Sequence, residues 1–278
     1  MSFYIENGNI VVENTDTFDI GAILECGQVF RYGNEGGEWS VTAGDRRAFI
    51  KKEGNKTIIR QNDENFFVKY FDLHRNYDII VSELEVKSPI RAAVEYGKGI
   101  RILNQEPFET LISFIISANN HIPRIKSIIE RLSFALGRDC GGYYAFPSPQ
   151  AMAGASVDFY RSIGAGYRAE YLKRTAAAVA DGFDLEALYG MDSEEARAKL
   201  MSLNGVGPKV ADCILLFAYG KTDVFPVDTW IKKVFRDMYG DNLSPVQMSR
   251  RLSAEFKNLS GYAQQYLFYY KRATDKKY

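Results

Sequence analysis

The chain has 278 residues, is 46% hydrophobic and 25% charged, and balances 35 Lys+Arg against 35 Asp+Glu. That length suggests about two domains, and the composition is that of an ordinary globular protein, which excludes a disordered, collagen-like or fibrous chain. The charge is neutral in sum but uneven: residues 1–100 carry 12 basic and 16 acidic side chains and residues 101–278 carry 23 and 19, so the later part can present a basic face to a polyanion.

Residues 1–98 read as a small, strand-rich unit. Short β-branched and aromatic runs at 9–12, 29–32, 39–42, 48–50 and 57–59 are punctuated by Gly8, Asn34, Gly36-Gly37, Asp45 and Gly54-Asn55, which predicts an antiparallel sheet. Helical spacing starts near Asp63, with Phe66, Phe67, Tyr70, Phe71 and Leu73. Residues 99–278 read as helix after helix. Pro107 suits a first helical turn, and the run after it is apolar on every side, which predicts a buried helix to 117. Pro123 opens another, 124–136, stopped by Gly137. Further helices are expected at 157–162, 169–180, 193–203, 208–219, 229–239, 245–256 and 263–272. The expected fold class is α+β: an N-terminal antiparallel sheet domain, then a mostly helical region.

No run of about 18 apolar residues occurs, so no transmembrane helix and no membrane partner is expected. The first residues show neither a basic n-region nor an apolar h-region, so no secretory signal is expected. Cys26, Cys140 and Cys213 are odd in number and far apart. They read as free thiols in a reducing, intracellular (cytoplasmic) setting rather than a disulfide framework. His74 and His121 are isolated, so no metal and no cofactor is expected.

The most informative stretch is Leu203-Asn204-Gly205-Val206-Gly207-Pro208-Lys209-Val210-Ala211-Asp212. A helix ends, Gly205 and Gly207 allow a tight reversal with positive φ, and Pro208 starts the next helix. Bare backbone N–H groups at such a turn can grip a phosphate; the same pattern alone also fits a plain helical turn. Lys209 falls in the first turn of a helix, where the dipole opposes a cation and burial would oppose it further. Both favour the free amine that Schiff-base chemistry uses. Nineteen residues on, Asp228 precedes the apolar positions Ile231, Val234 and Phe235. It reads as an N-cap, held ionised by the helix start and suited to stabilising a developing cation.

Glycine hairpin, lysine and Val227-Asp228 at this spacing resemble the helix-hairpin-helix DNA glycosylase superfamily, and within it the 8-oxoguanine DNA glycosylase/lyases. The resemblance extends along nearly the whole chain. It includes Glu25 to Arg31, Glu106-Pro107 through Ser113 to Asn120, Gly164 to Ala169, Gly205 to Cys213, and Gly261 to Phe268, in the family's order.

That resemblance implies roles. Lys209 would be the nucleophile at C1′ of the damaged nucleotide and Asp228 would stabilise the oxocarbenium-like sugar. Gly27 would offer its carbonyl to N7–H of the lesion, a proton that guanine lacks. Cys213 and Phe268 would sandwich the flipped base and Gln264 would bond its pairing edge. Asn119 would fill the vacated stack, Tyr167 would wedge it, Arg124 and Arg168 would contact the orphaned cytosine, and Gly205, Val206 and Gly207 would hold a phosphate. Without the resemblance, Phe268 and Tyr167 read as core aromatics, Cys213 as a small buried hydrophobe, Asn119 as a helix C-cap, Gly27 as a turn residue and the two arginines as solvated charge.

The implied partner is double-stranded DNA containing 8-oxoguanine opposite cytosine, engaged by a monomer. The implied activity is that of a bifunctional glycosylase and β-lyase. Departures are Asn204 where the hairpin often has proline, Trp230 where animal members have a phosphate-contacting histidine, and His121 where they have a third asparagine. Relatives with an iron–sulfur cluster need four closely spaced cysteines, and none follows Cys213. Two other readings stand beside this one: a glycosylase for alkylated purines, which Lys209 argues against, and a non-catalytic DNA-binding module, which leaves the Lys209–Asp228 pairing unexplained.

Overall fold

The computed structural model describes residues 1–13, 15–86 and 88–275. Six antiparallel strands form one sheet: β1 (Ser2–Glu6), β2 (Asn9–Glu13), β3 (Tyr32–Glu35), β4 (Glu38–Ala43), β5 (Arg46–Glu53) and β6 (Lys56–Gln61), in the order β1-β2-β6-β5-β4-β3. The register puts Ile10, Ile59, Ile50 and Trp39 in one row across four strands. Period-2 alternation keeps one face apolar, and Ile10, Val12, Val41, Ala43, Ala48, Ile50 and Ile59 are buried there against Phe18, Ile23, Leu24, Phe67 and Phe71.

Four of the five expected strand runs lie in β2, β4, β5 and β6. The run at 29–32 does not: β3 begins only at Tyr32. Its neighbour Gln28 explains the difference. The Gln28 amide donates to the carbonyls of Ile23 and Arg101 and accepts from Leu103 N–H. Gln105 in turn donates to the Gln28 carbonyl. The segment is therefore anchored to residues 101–105. β1 and the helix α1 (Ile20–Glu25), capped by Asp19, were not among the expected elements.

The remaining helices are α2 (Glu64–Tyr70), α3 (Tyr77–Glu85), α4 (Arg91–Tyr96), α5 (Pro107–Ser117), α6 (Ile122–Leu136), α7 (Pro149–Gly154), α8 (Val157–Ser162), α9 (Ala169–Ala180), α10 (Ser193–Leu200), α11 (Pro208–Tyr219), α12 (Thr229–Tyr239), α13 (Pro245–Phe256) and α14 (Ser260–Asp275). α10 stops three residues before its expected end, leaving 201–207 as the turn of the hairpin. α6 begins two residues earlier than expected because His121 serves as its N-cap, its Nδ1 accepting from Arg124 N–H at 3.4 Å.

Apolar packing crosses residue 98. Ala22, Cys26, Phe30, Tyr77, Leu84 and Val94 share one cluster with α5, α11 and α14. Arg101, fully buried, adds a polar weld: its guanidinium donates to the carbonyls of Thr17, Phe71 and Arg75 and lies 4.0 Å from the Tyr77 ring centre. At the centre, Phe114 of α5 stacks on Phe217 of α11 at 5.4 Å. α14 approaches α11 at Gly261, where a Cβ would sit 2.2 Å from Leu216 Cδ1, so a side chain there would displace Leu216. The same helix reaches the N-terminal part, Gln265 Nε2 donating to the Cys26 carbonyl at 2.7 Å. One helix thus ties the residue-26 segment to the hairpin.

Candidate active site

These contacts enclose a cavity of about 700 Å3 between α5, α11, the start of α12, α14 and the turn after α1. Gly27, Asn119, Gly205, Gly207, Lys209, Cys213, Asp228, Gln264 and Phe268 all line it. Four of the sequence-predicted residues do not: Arg124, Tyr167, Arg168 and Val206.

Lys209 lies in the first turn of α11, one residue after Pro208, with its Nζ 5.2 Å from the Phe114 ring centre. Cys213, one turn on, is on the same face. Burial pushes its thiol up to about 11, a rise the Lys209 charge only partly offsets. At neutral pH it presents a neutral, polarisable surface and no thiolate.

Asp228 caps α12 as expected, its Oδ1 accepting from Trp230 N–H at 3.0 Å and Ile231 N–H at 2.8 Å. The helix start favours the ionised form, as expected, and burial opposes it. Burial outweighs the Ile231 N–H, the Lys209 charge and the Trp230 N–H, and the carboxyl is raised above its ordinary value.

The opposite wall comes from α14 and the turn after α1. Gln264 and Phe268, four residues apart, both face the cavity. Gln264 is 5% exposed and its Oε1 is buried without a hydrogen-bond partner. Such an orphaned acceptor is costly unless a ligand supplies a donor. Gly27 has φ +84°, and a Cβ there would meet Phe268 Cε1 at 3.0 Å. A side chain there is disfavoured twice, by the backbone conformation and by the tight approach of Phe268. The turn is held from both sides, by Gln28 and by Gln265 on Cys26.

In the hairpin, Gly205 has φ +82° and packs on Tyr171, where a Cβ would approach to 2.8 Å. Gly207 differs from expectation: its φ is −96°, an ordinary extended value, and a Cβ would meet nothing within 4 Å. It caps α11 without a side chain, so its service is to leave the helix N-terminus bare rather than to turn the chain. The Val206 side chain is buried, which limits any ligand contact there to backbone.

Asn119, Tyr167 and Arg168 come together at the cavity rim. Asn119 follows the C-cap Ala118 and adopts φ +50°, a left-handed conformation in a non-glycine residue. Arg168 is only 3% exposed. Its Nε donates to the Ala118 carbonyl at 3.0 Å and its Nη2 to the Asn119 carbonyl at 2.9 Å. The guanidinium lies 4.3 Å from the Tyr167 ring centre, and Tyr167, 57% exposed, also donates to Ala118 O, at 3.2 Å. Arg124 is exposed and donates to Gly164 O at 3.2 Å. These arginines are tied to carbonyls rather than free in solvent.

Among the cavity residues that the sequence reading did not single out, one is charged and close to the Gly27 turn. Arg272 lines the pocket, its Nη2 donating to the Glu25 carbonyl. The available signal was spacing: Gln264, Phe268 and Arg272 continue one i, i+4 stripe of α14. No cluster of metal-binding side chains occurs among the described residues, and no helix among them is long and apolar enough to cross a membrane.

Comparison with known proteins gives two adjoining family matches. Residues 10–111 match the 8-oxoguanine DNA glycosylase N-terminal domain, and residues 112–258 match the HhH-GPD superfamily base excision DNA repair proteins. The chain is 33% identical to a probable N-glycosylase/DNA lyase of Methanothermobacter thermautotrophicus, over 78% of this chain and 76% of that one. It is 29% identical to the N-glycosylase/DNA lyase of Saccharomyces cerevisiae, over 81% and 69%. Among solved structures, the 8-oxoguanine glycosylase/lyase of Clostridium acetobutylicum, bound to double-stranded DNA with cytosine opposite 8-oxoguanine, is 37% identical. It superposes with a TM-score of 0.94 over 99% of both chains.

Proposed function

The chain belongs to the 8-oxoguanine DNA glycosylase/lyases of the helix-hairpin-helix superfamily, and on that premise we propose that it excises 8-oxoguanine from duplex DNA opposite cytosine and then nicks the strand. The observation that carries the reading is the convergence of Lys209, Asp228, Cys213, Gln264, Phe268 and Gly27 on one cavity. The Lys209 amine attacks C1′ of the flipped nucleotide as the C1′–N9 bond breaks, and the base leaves with the electron pair and takes up a proton. Asp228, in its ionised form, stabilises the positive charge that develops on the sugar. Opening of the sugar ring gives an imine between Lys209 and C1′. Loss of a C2′ proton and of the 3′ phosphate then completes β-elimination, and water releases the lysine.

In this reading Gly27 accepts from N7–H, Gln264 meets the pairing edge, and Cys213 and Phe268 stack on either face. Asn119 and Tyr167 fill and wedge the vacated stack, and Arg124 and Arg168 meet the orphaned cytosine. The backbone at Gly205, Val206 and Gly207 binds a phosphate. The unit 1–98 contributes the Gly27 turn and the unit 99–278 the nucleophile, in a monomer that needs no cofactor. Lys209 disfavours the alkylated-purine alternative.

The test is incubation with a duplex carrying one 8-oxoguanine opposite cytosine. Free 8-oxoguanine together with a 3′ unsaturated aldehyde end is expected. Binding without base release would leave only a DNA-binding module.

A further inference from the structure

Arg272 has a feature that anchoring alone does not account for. Its Nη2 is engaged by the Glu25 carbonyl, yet its Nη1 is buried and has no hydrogen-bond partner among the described residues. The guanidinium lies 5.3 Å from the Phe268 ring centre. Nη1 lies 3.5 Å from the point where a Cβ on Gly27 would stand. No described group donates to the Gly27 carbonyl. A donor-only cation and the Gly27 backbone therefore lie side by side in the lining of the cavity.

That pairing has a chemical complement. The five-membered ring of 8-oxoguanine carries a donor, N7–H, next to an acceptor, the C8 carbonyl. Guanine reverses the first and lacks the second: N7 is a lone pair and C8 bears hydrogen. We propose that Arg272 is a specificity-determining residue that donates from Nη1 to the C8 oxygen while the Gly27 carbonyl accepts from N7–H. This rests on the 8-oxoguanine reading above. The lesion satisfies both wall groups at once, whereas guanine faces lone pair to lone pair at Gly27 and leaves Nη1 buried and unpaired. Arg272 is tied to the same turn as Gly27 through Glu25, so the two groups keep a fixed spacing.

The test replaces the acceptor and the donor separately. Single-turnover excision is measured opposite cytosine for 8-oxoguanine and for 8-thioxoguanine, which keeps N7–H but carries sulfur, a weak acceptor. Wild type and Arg272→Met are compared, with melting temperature and affinity for a tetrahydrofuran abasic analogue as controls. Wild type should excise the oxo base faster. Arg272→Met should lose roughly 10- to 150-fold on it, the range for a hydrogen bond to a charged group, and the oxo and thioxo rates should converge. Abasic-analogue affinity should stay within about twofold.

An equal loss on both bases would mean that Arg272 merely braces Phe268 and would overturn the proposal. So would an undiminished preference for oxygen in Arg272→Met. If that variant does not fold, Arg272→Lys is read the same way, with an intermediate preference expected and an unchanged one refuting. Wild type that releases neither base would fail the proposed function itself, a result visible before any variant is made.

Discussion

The floor of the cavity and its rim are built on opposite terms. In the lining, polar atoms are held in place but left without partners: among the described residues nothing bonds the buried Gln264 Oε1 and Arg272 Nη1, and none donates to the Gly27 carbonyl. At the rim the donors are already engaged, Arg168 on Ala118 and Asn119, Tyr167 on Ala118, Arg124 on Gly164. On the proposed function, the contrast teaches that a base pocket can be ready before DNA arrives, whereas contact with the opposite strand would require local bonds to be given up first. Asn119, at φ +50°, lies at the boundary between the two, in a conformation that costs a non-glycine residue energy.

The sharpest way to break this contrast is at Lys209, where the floor's readiness is chemical. Borohydride should trap wild-type protein on lesion DNA. Lys209→Gln should abolish the adduct and lower base release by about three orders of magnitude or more, with DNA affinity retained. Undiminished trapping would place the nucleophile elsewhere.

Asp228 is expected to be next in size, and it separates charge from shape. Asn caps nearly as well as Asp, so Asp228→Asn keeps the bonds to Trp230 and Ile231. Base release should fall by about 10²–10³. The stability effect runs the other way. Burial raises the folded-state carboxyl above its ordinary value, so the neutral form is favoured in the fold. Keeping it ionised therefore costs stability at pH above that raised value, and the cost vanishes below the unfolded value near 4. Asp228→Asn should thus melt at or above wild type at neutral pH and lose that advantage in acid. Wild-type base release should fall through an acid limb lying above the ordinary aspartate range. A variant that loses activity only in step with its melting temperature would remove Asp228 from the chemistry.

Much of the floor was legible in the sequence because it rests on local rules. α8, α9, α11, α12 and α13 run between the residues expected of them, each opened by a proline, a serine or an aspartate or set off by a glycine. Lys209 and Cys213, like Gln264 and Phe268, share a face by helical spacing alone. What stayed hidden depends on partners distant in sequence. Gln28 anchors the segment before β3 by binding Arg101 and Leu103, and Arg272 is tied beside the pocket by a contact with Glu25, 247 positions away. The resemblance implied a cytosine contact for Arg124 and Arg168, but nothing local tells that their donors are spent on carbonyls. Gly207 misled for a different reason: a glycine can serve by positive φ or by bareness, and the sequence does not distinguish them.

Gly27 tests the wall directly and is expected to have a smaller effect. Alanine at φ +84° costs about 1–2 kcal/mol and puts a methyl 3.0 Å from Phe268. Gly27→Ala should lower the melting temperature by a few degrees and 8-oxoguanine excision by about 10- to 100-fold. Affinity for an abasic analogue, which has no base to meet the wall, should change by no more than about threefold. Equal losses on both would leave Gly27 with a folding role alone.

The smallest effects belong to the rim. A good bidentate contact discriminates between bases by about 1–3 kcal/mol, or roughly 5- to 150-fold. If Arg124 and Arg168 share the reading of cytosine, each carries a part of that. Cytosine offers acceptors at O2 and N3 to two donor-only groups, and adenine cannot use the same pair equally well. The two arginines start from different positions. Arg124 gives up one bond, to Gly164, and is exposed, so Arg124→Ala should relax the preference for cytosine by about two- to fivefold with no change in stability. Arg168 is buried under Tyr167 and holds the carbonyls at 118 and 119, so its removal does two things. Arg168→Ala should relax the preference by up to about tenfold. It should also release Asn119 from its left-handed conformation and lower the melting temperature, because two carbonyls lose charged donors. Single-turnover excision opposite each of the four bases measures the first effect and thermal unfolding the second. Arg168→Ala that destabilises without touching selectivity would make Arg168 a brace of the rim and leave the opposite base to Arg124. Wild type indifferent to all four bases would remove the reader from the rim altogether, and the bonds seen there would then be structural in both the free and the DNA-bound protein.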